Sequence, residues 1–120
     1  MQSIFKVNPD NLIEQVQQIV DDKFKSLDRV LAEKTDQAQL YIEVTRDTKK
    51  QTGKVFRASG RLVVDGNSYY TQSREETVDL SIERIRDGLL RKVRASRGRT
   101  ARLIRRGGSA LKSLLRFGRK

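Results

Sequence analysis

The 120-residue chain has no cysteine, no histidine, no tryptophan and a single proline. Without thiols or imidazoles it has no ligands for an ordinary zinc site, no Ser-His-Asp triad and no Cys-His dyad. It also lacks a GxxxxGK(S/T) phosphate loop, a calcium-loop pattern and a glycine-rich dinucleotide fingerprint. Carboxylate, lysine or magnesium chemistry is all that composition leaves to an enzyme, and no motif speaks for it. The expectation is a binding protein with no catalytic residue, metal, cofactor or small-molecule substrate. Small secreted domains often lean on disulfides, which this chain cannot form. No apolar run approaches the roughly 20 residues that span a bilayer, and residues 1–8 lack the charged start and long apolar stretch of a signal peptide. These absences predict a soluble, cytoplasmic protein with no membrane partner.

What the chain does have is positive charge, unevenly placed. It carries 26 Lys+Arg against 15 Asp+Glu, a formal net charge of +11. Residues 1–90 are close to neutral, whereas residues 91–120 contain cations and no acid at all. Most of those cations are arginines, whose planar fork suits phosphate and base contacts better than an ammonium does. An uncompensated block of this kind repels itself until a polyanion neutralises it, which points to nucleic acid. The plainer alternative is a solvated basic end that serves solubility.

Apolar periodicity supplies the architecture. Residues 4–7 alternate weakly and predict a short strand, and Asn8-Pro9-Asp10 reads as a turn that opens a helix. From residue 10 to about 31, Leu12, Val16, Ile19, Val20, Phe24, Leu27 and Leu31 recur at helical spacing. Residues 39–46 switch to period two, with Leu40, Ile42 and Val44 on one side and Tyr41, Glu43 and Thr45 on the other. A polar loop leads into residues 54–64, which set Phe56, Ala58, Leu62 and Val64 against Arg57, Ser59 and Arg61. Asp65-Gly66 is a strong hairpin signal, with residues 67–72 as the returning strand. That turn sets Leu62 opposite Tyr69 inside and Arg61 opposite Tyr70 outside.

Ser73-Arg74-Glu75-Glu76 fits a capping box and predicts the start of a second helix, with Val78, Ile82, Ile85, Leu89 and Val93 as its core stripe. Gly98 and the Gly107-Gly108 pair are expected to break that helix. The order is βαβββα: an α+β domain with two helices on one face of a four-stranded sheet. Its expected limits are residues 1–96, with 97–120 an Arg-rich extension. On a helical wheel Arg84, Arg91 and Arg94 fall opposite the stripe and Arg86 and Lys92 flank it. Their charge runs on into Arg97, Arg99, Arg102, Arg105 and Arg106, making one strip suited to a phosphate backbone. For Arg84 and Arg86, pairing with Glu83, Asp87 or Asp79 is nearly as good a reading. Tyr41 and Tyr70 on the outer sheet face more often cover neighbours than stack bases.

The run from Gly60 to Tyr70, followed by Glu75-Glu76-Thr77-Val78-Asp79-Leu80-Ser81-Ile82-Glu83-Arg84-Ile85, resembles the ribosome hibernation promoting factor family, as does the segment from Val20 to Asp28. The resemblance covers residues 1–97 and implies a βαβββα domain without enzyme activity. It further implies docking in the channel of the small ribosomal subunit used by messenger and transfer RNA, with basic helix residues on ribosomal RNA. The positions that match those residues are Lys23, Lys25, Arg84, Arg91, Lys92 and Arg94. The chain departs from the family in having Thr77-Val78 where an aromatic usually follows the opening acidic position. Its extension is also too short for the C-terminal domain by which long members pair ribosomes. A general double-stranded RNA binder or structural ribosomal protein is the alternative.

Overall fold

The computed structural model describes residues 1–49 and 51–106, and for Glu33 and residues 97–106 it describes the backbone alone. The period-two segments form β1 (Gln2–Asn8), β2 (Gln39–Arg46), β3 (Phe56–Val64) and β4 (Asn67–Glu75). They line up in chain order as one sheet, β1 parallel to β2 and the remaining neighbours antiparallel. A parallel pair needs a crossover, and α1 (Ile13–Lys23) with α2 (Lys25–Leu31) provides it. α3 (Val78–Arg106) follows β4 and packs on β4 and β3, with α1 beside it. This is the predicted α+β, βαβββα arrangement.

Both predicted helical stripes enter the core. Val16, Val20, Phe24, Leu27 and Leu31 from the crossover, and Val78, Ile82, Ile85, Leu89 and Val93 from α3, are buried against Leu40, Ile42, Val44, Ala58, Leu62 and Val64. Among the described residues, the other sheet face carries no helix. The Asp65-Gly66 turn has positive φ at both residues (56° and 77°), and it sets the predicted register of Leu62 with Tyr69 and Arg61 with Tyr70.

Three local expectations are corrected. The first helix is not continuous: a 3-10 turn (Asp10–Leu12) leads into α1, and the chain bends at Phe24 before α2. Phe24 leaves helical dihedrals (φ −95°, ψ 9°), which separates the two segments, while Leu27 and Leu31 beyond the break stay buried with Val16 and Val20 before it. Second, Ser73 caps no helix. β4 runs through Glu75, and it is Thr77 whose hydroxyl oxygen accepts from the Leu80 amide at 3.1 Å. Ser73 instead donates to the Ser81 carbonyl at 2.8 Å, clipping β4 to α3. Third, α3 passes through Gly98 to Arg106. The arginines, alanines and leucine around Gly98 are strong helix formers, and cations suit the negative end of the helix dipole, which together outweigh about 1 kcal/mol for one glycine. Residues 107–120, including Gly107-Gly108, lie outside the described residues.

Close approach of α3 to the sheet rests on two glycines. A Cβ at Gly60 would overlap the Ile85 methyl, and one at Gly88 would sit 2.5 Å from Thr71 Oγ1. Gly60→Ala should therefore lower stability by about 1–3 kcal/mol, the usual overpacking cost, read as a lower urea midpoint at unchanged slope. A second check concerns Asp65, whose carboxyl is held below its ordinary range by a hydrogen bond from Lys34 and then by that residue's charge (Nζ–Oδ2 2.6 Å). A depressed folded pKa adds stability above the unfolded value and loses it as pH falls through the folded one. Asp65→Asn keeps a turn-forming residue, so any thermal-stability gap to the parent should be present at neutral pH and close in strong acid.

Candidate nucleic-acid interface

α3 has a buried face that the sheet fixes, so its opposite face is fixed too. Arg84, Arg91 and Arg94 are exposed there, as the helical wheel predicts. Their surroundings differ. Arg84 Nε lies 3.6 Å from Glu75 Oε1 on β4, so its charge is partly offset, though by a strand residue rather than by its own helix. Arg86 pairs within α3, with Asp87 at 2.9 Å and Glu83 at 3.5 Å. Lys92 donates to the Tyr70 carbonyl on β4. Arg91 and Arg94 form no ion pair among the described residues, and nothing acidic follows them in the sequence.

Because α3 continues as one helix, the backbone positions of Arg97, Arg99, Arg102, Arg105 and Arg106 extend the same rod. At 100° per residue, positions 102 and 105 return to the face of 84, 91 and 94. The side chains of all five lie outside the described residues, so the strip's far end is fixed here by backbone register alone.

Lys23 and Lys25 flank the bend at Phe24, the first half-buried in the last turn of α1 and the second exposed at the start of α2. Connectivity sends the crossover helices and α3 back along the sheet in the same sense, on one layer. The two lysines thus belong to the helical side of the domain, like Arg91 and Arg94.

A feature that sequence reasoning missed lies on the opposite side. Extending the Arg61–Tyr70 register by four residues pairs Arg57 directly with Arg74 across β3 and β4. The assignment of Arg74 to a helix cap hid it; the alternation that sets Arg57 and Arg61 outward, carried past residue 72, was the available signal.

Among the described residues no group of three or more acidic side chains is placed to hold a metal ion, and no helix is long and apolar enough to cross a membrane. Among solved structures, the chain is similar to the crystal structure of the N-terminal domain of Protein Y from Thermus thermophilus. Sequence identity is 17%, the likeness covers 78% of this chain and 96% of that one, and the TM-score is 0.62. At that identity the likeness establishes the fold. No protein-family model matches the chain, and no curated protein does.

The unequal neutralisation of the α3 cations gives an expected ranking. Replacing Arg91 and Arg94 together by Gln should reduce the salt-dependence slope for a duplex RNA by about 1.8, near 0.9 for each phosphate that is no longer neutralised. Arg84→Gln should change it by less, since Glu75 already offsets that charge. Fluorescence anisotropy across a salt series reads both.

Proposed function

We propose that this protein is a non-enzymatic factor that binds the ribosome and silences it, docking on the small subunit in the channel used by messenger and transfer RNA. The observation that carries the reading is the pair of exposed, unneutralised arginines, Arg91 and Arg94, on a helix that runs without interruption into an acid-free basic segment. The βαβββα fold and its likeness to the Protein Y domain support it, as does the sequence resemblance to hibernation promoting factors. In this reading Lys23, Lys25, Arg84, Arg91, Lys92 and Arg94 meet ribosomal RNA, and Arg97, Arg99, Arg102, Arg105 and Arg106 lengthen the contact along α3. Residues 1–96 supply shape and residues 97–120 supply further charge. The work of such a factor is occupancy: phosphate contacts give affinity, and the rigid layer of helix and sheet fills space that transfer RNA would need.

Lys92 serves the fold as well as the interface, because its ammonium meets a backbone carbonyl. Its loss is therefore expected to affect both stability and binding, whereas Arg91 and Arg94 affect binding alone.

Co-sedimentation with purified small subunits at moderate salt tests the proposal. The parent protein should pellet with the subunits, resist competition by a modest excess of free duplex RNA, and reduce transfer RNA binding. Pelleting that free duplex abolishes would indicate a general RNA binder instead. Deleting the residues after Ala95 should weaken association and flatten its salt dependence; an unchanged slope would remove the extension from the interface.

A further inference from the structure

The helix-free face of the sheet carries its own charge and its own aromatic surface. Strand alternation and register set Ile4, Tyr41, Arg61 and Tyr70 side by side in one row across all four strands. Tyr41 and Tyr70 are 39% and 44% exposed, far more than core aromatics, and the Arg61 guanidinium lies 5.6 Å from the Tyr70 ring centroid. A shallow depression of about 360 Å³ opens over this row.

Four residues along β3, on the order of 13 Å away, Arg57 faces Arg74. The two-residue turn makes Val64 and Asn67 the first hydrogen-bonded pair, so by alternation Arg57 and Arg74 fall in the closer, non-hydrogen-bonded class. Like charges directly opposite one another destabilise a sheet. Neither arginine has an ion-pair partner among the described residues, and a second depression, of about 440 Å³, is lined by Arg57, Gln72, Ser73 and Arg74. On this face Lys6, Arg57, Arg61 and Arg74 stand against the one strand carboxylate, Glu43, which sits beside Lys6.

We propose that this open sheet face is a second binding surface, for single-stranded nucleic acid, with the Arg57–Arg74 pair taking a phosphate and the Tyr41–Arg61–Tyr70 row taking an unpaired base. A phosphate between the two guanidiniums relieves their repulsion, which favours an anion there. The neighbouring aromatic row favours a ligand with flat rings over an acidic peptide. It also favours a single strand over a duplex, because paired bases turn no ring face outward along the helix. The surface is distinct from the α3 strip and does not rest on the ribosome reading.

The test is anisotropy of labelled uridine and deoxythymidine dodecamers, with a blunt RNA duplex for comparison. Joint replacement of Arg57 and Arg74 by Gln should weaken single-strand binding and lower its salt slope by about 0.7, the value for the one phosphate they share. Tyr41→Leu with Tyr70→Leu keeps apolar cover but removes the rings, and should weaken it about fivefold or more. Duplex binding should be unchanged in both. Weaker binding of either dodecamer sustains the proposal. Unchanged binding, or an equal weakening on the duplex, overturns it. Removing the like-charge pair should leave the melting temperature equal or higher, so weakened binding would not reflect impaired folding. Arg91→Gln with Arg94→Gln, which tests the ribosome reading, should leave single-strand binding at this face in place.

Discussion

Contact between α3 and the middle of the sheet is the constraint from which the rest follows. Gly60 on β3 leaves a gap that Ile85 fills, and Gly88 on α3 lets the helix settle onto Thr71 of β4. Between those points Ile82, Ile85 and Leu89 are fully buried. Because that packing fixes the helix in rotation, it also decides which of its residues face water. A cation opposite the stripe cannot turn inward to find an acid without breaking it. The exposure of Arg91 and Arg94 is thus a consequence of packing in the core, several side chains away from them.

The same constraint separates the molecule into two chemically different sides. The helical layer carries Lys23, Lys25 and the α3 arginines; the bare sheet face carries Tyr41, Tyr70 and the β3–β4 arginines. The body up to residue 90 is nearly neutral in sum. Its charge is nevertheless sorted: Arg84 and Arg86 engage acids on β4 and α3 and Lys34 pairs with Asp65, whereas Arg57, Arg61 and Arg74 form no ion pair among the described residues.

Much of this was legible in the sequence, because periodicity reports burial directly. The residues read as core from positions 16, 20, 24, 27 and 31, and from 78, 82, 85, 89 and 93, are core. The Asp65-Gly66 turn was enough to set the β3–β4 register down to individual pairs. What escaped was the placement of element ends. A Ser-x-x-Glu pattern at 73–76 satisfies a capping box on paper, yet β4 gains more from pairing its last residues with β3 than a helix would gain from starting there. Gly98 looked like a stop because propensity was weighed singly, whereas the backbone responds to the sum of its neighbours. The Arg57–Arg74 pair escaped for a related reason: an end placed three residues early turns a strand partner into a loop residue. The cationic helix face could be drawn on a wheel, but not the fact that Arg84 would find Glu75 on another element, since that pairing exists only once α3 has folded back over β4.

β4 is the last strand of the sheet, and among the described residues no neighbouring strand satisfies the backbone of its outer rim. Lys92 reaches down from α3 to take up the Tyr70 carbonyl on that strand. An incoming strand seeking to extend the sheet there would have to evict an ammonium group from its acceptor and bring its own chain beside a cation. One lysine therefore places a cation at the midpoint of an open border, where a strand of another copy would otherwise find a free acceptor.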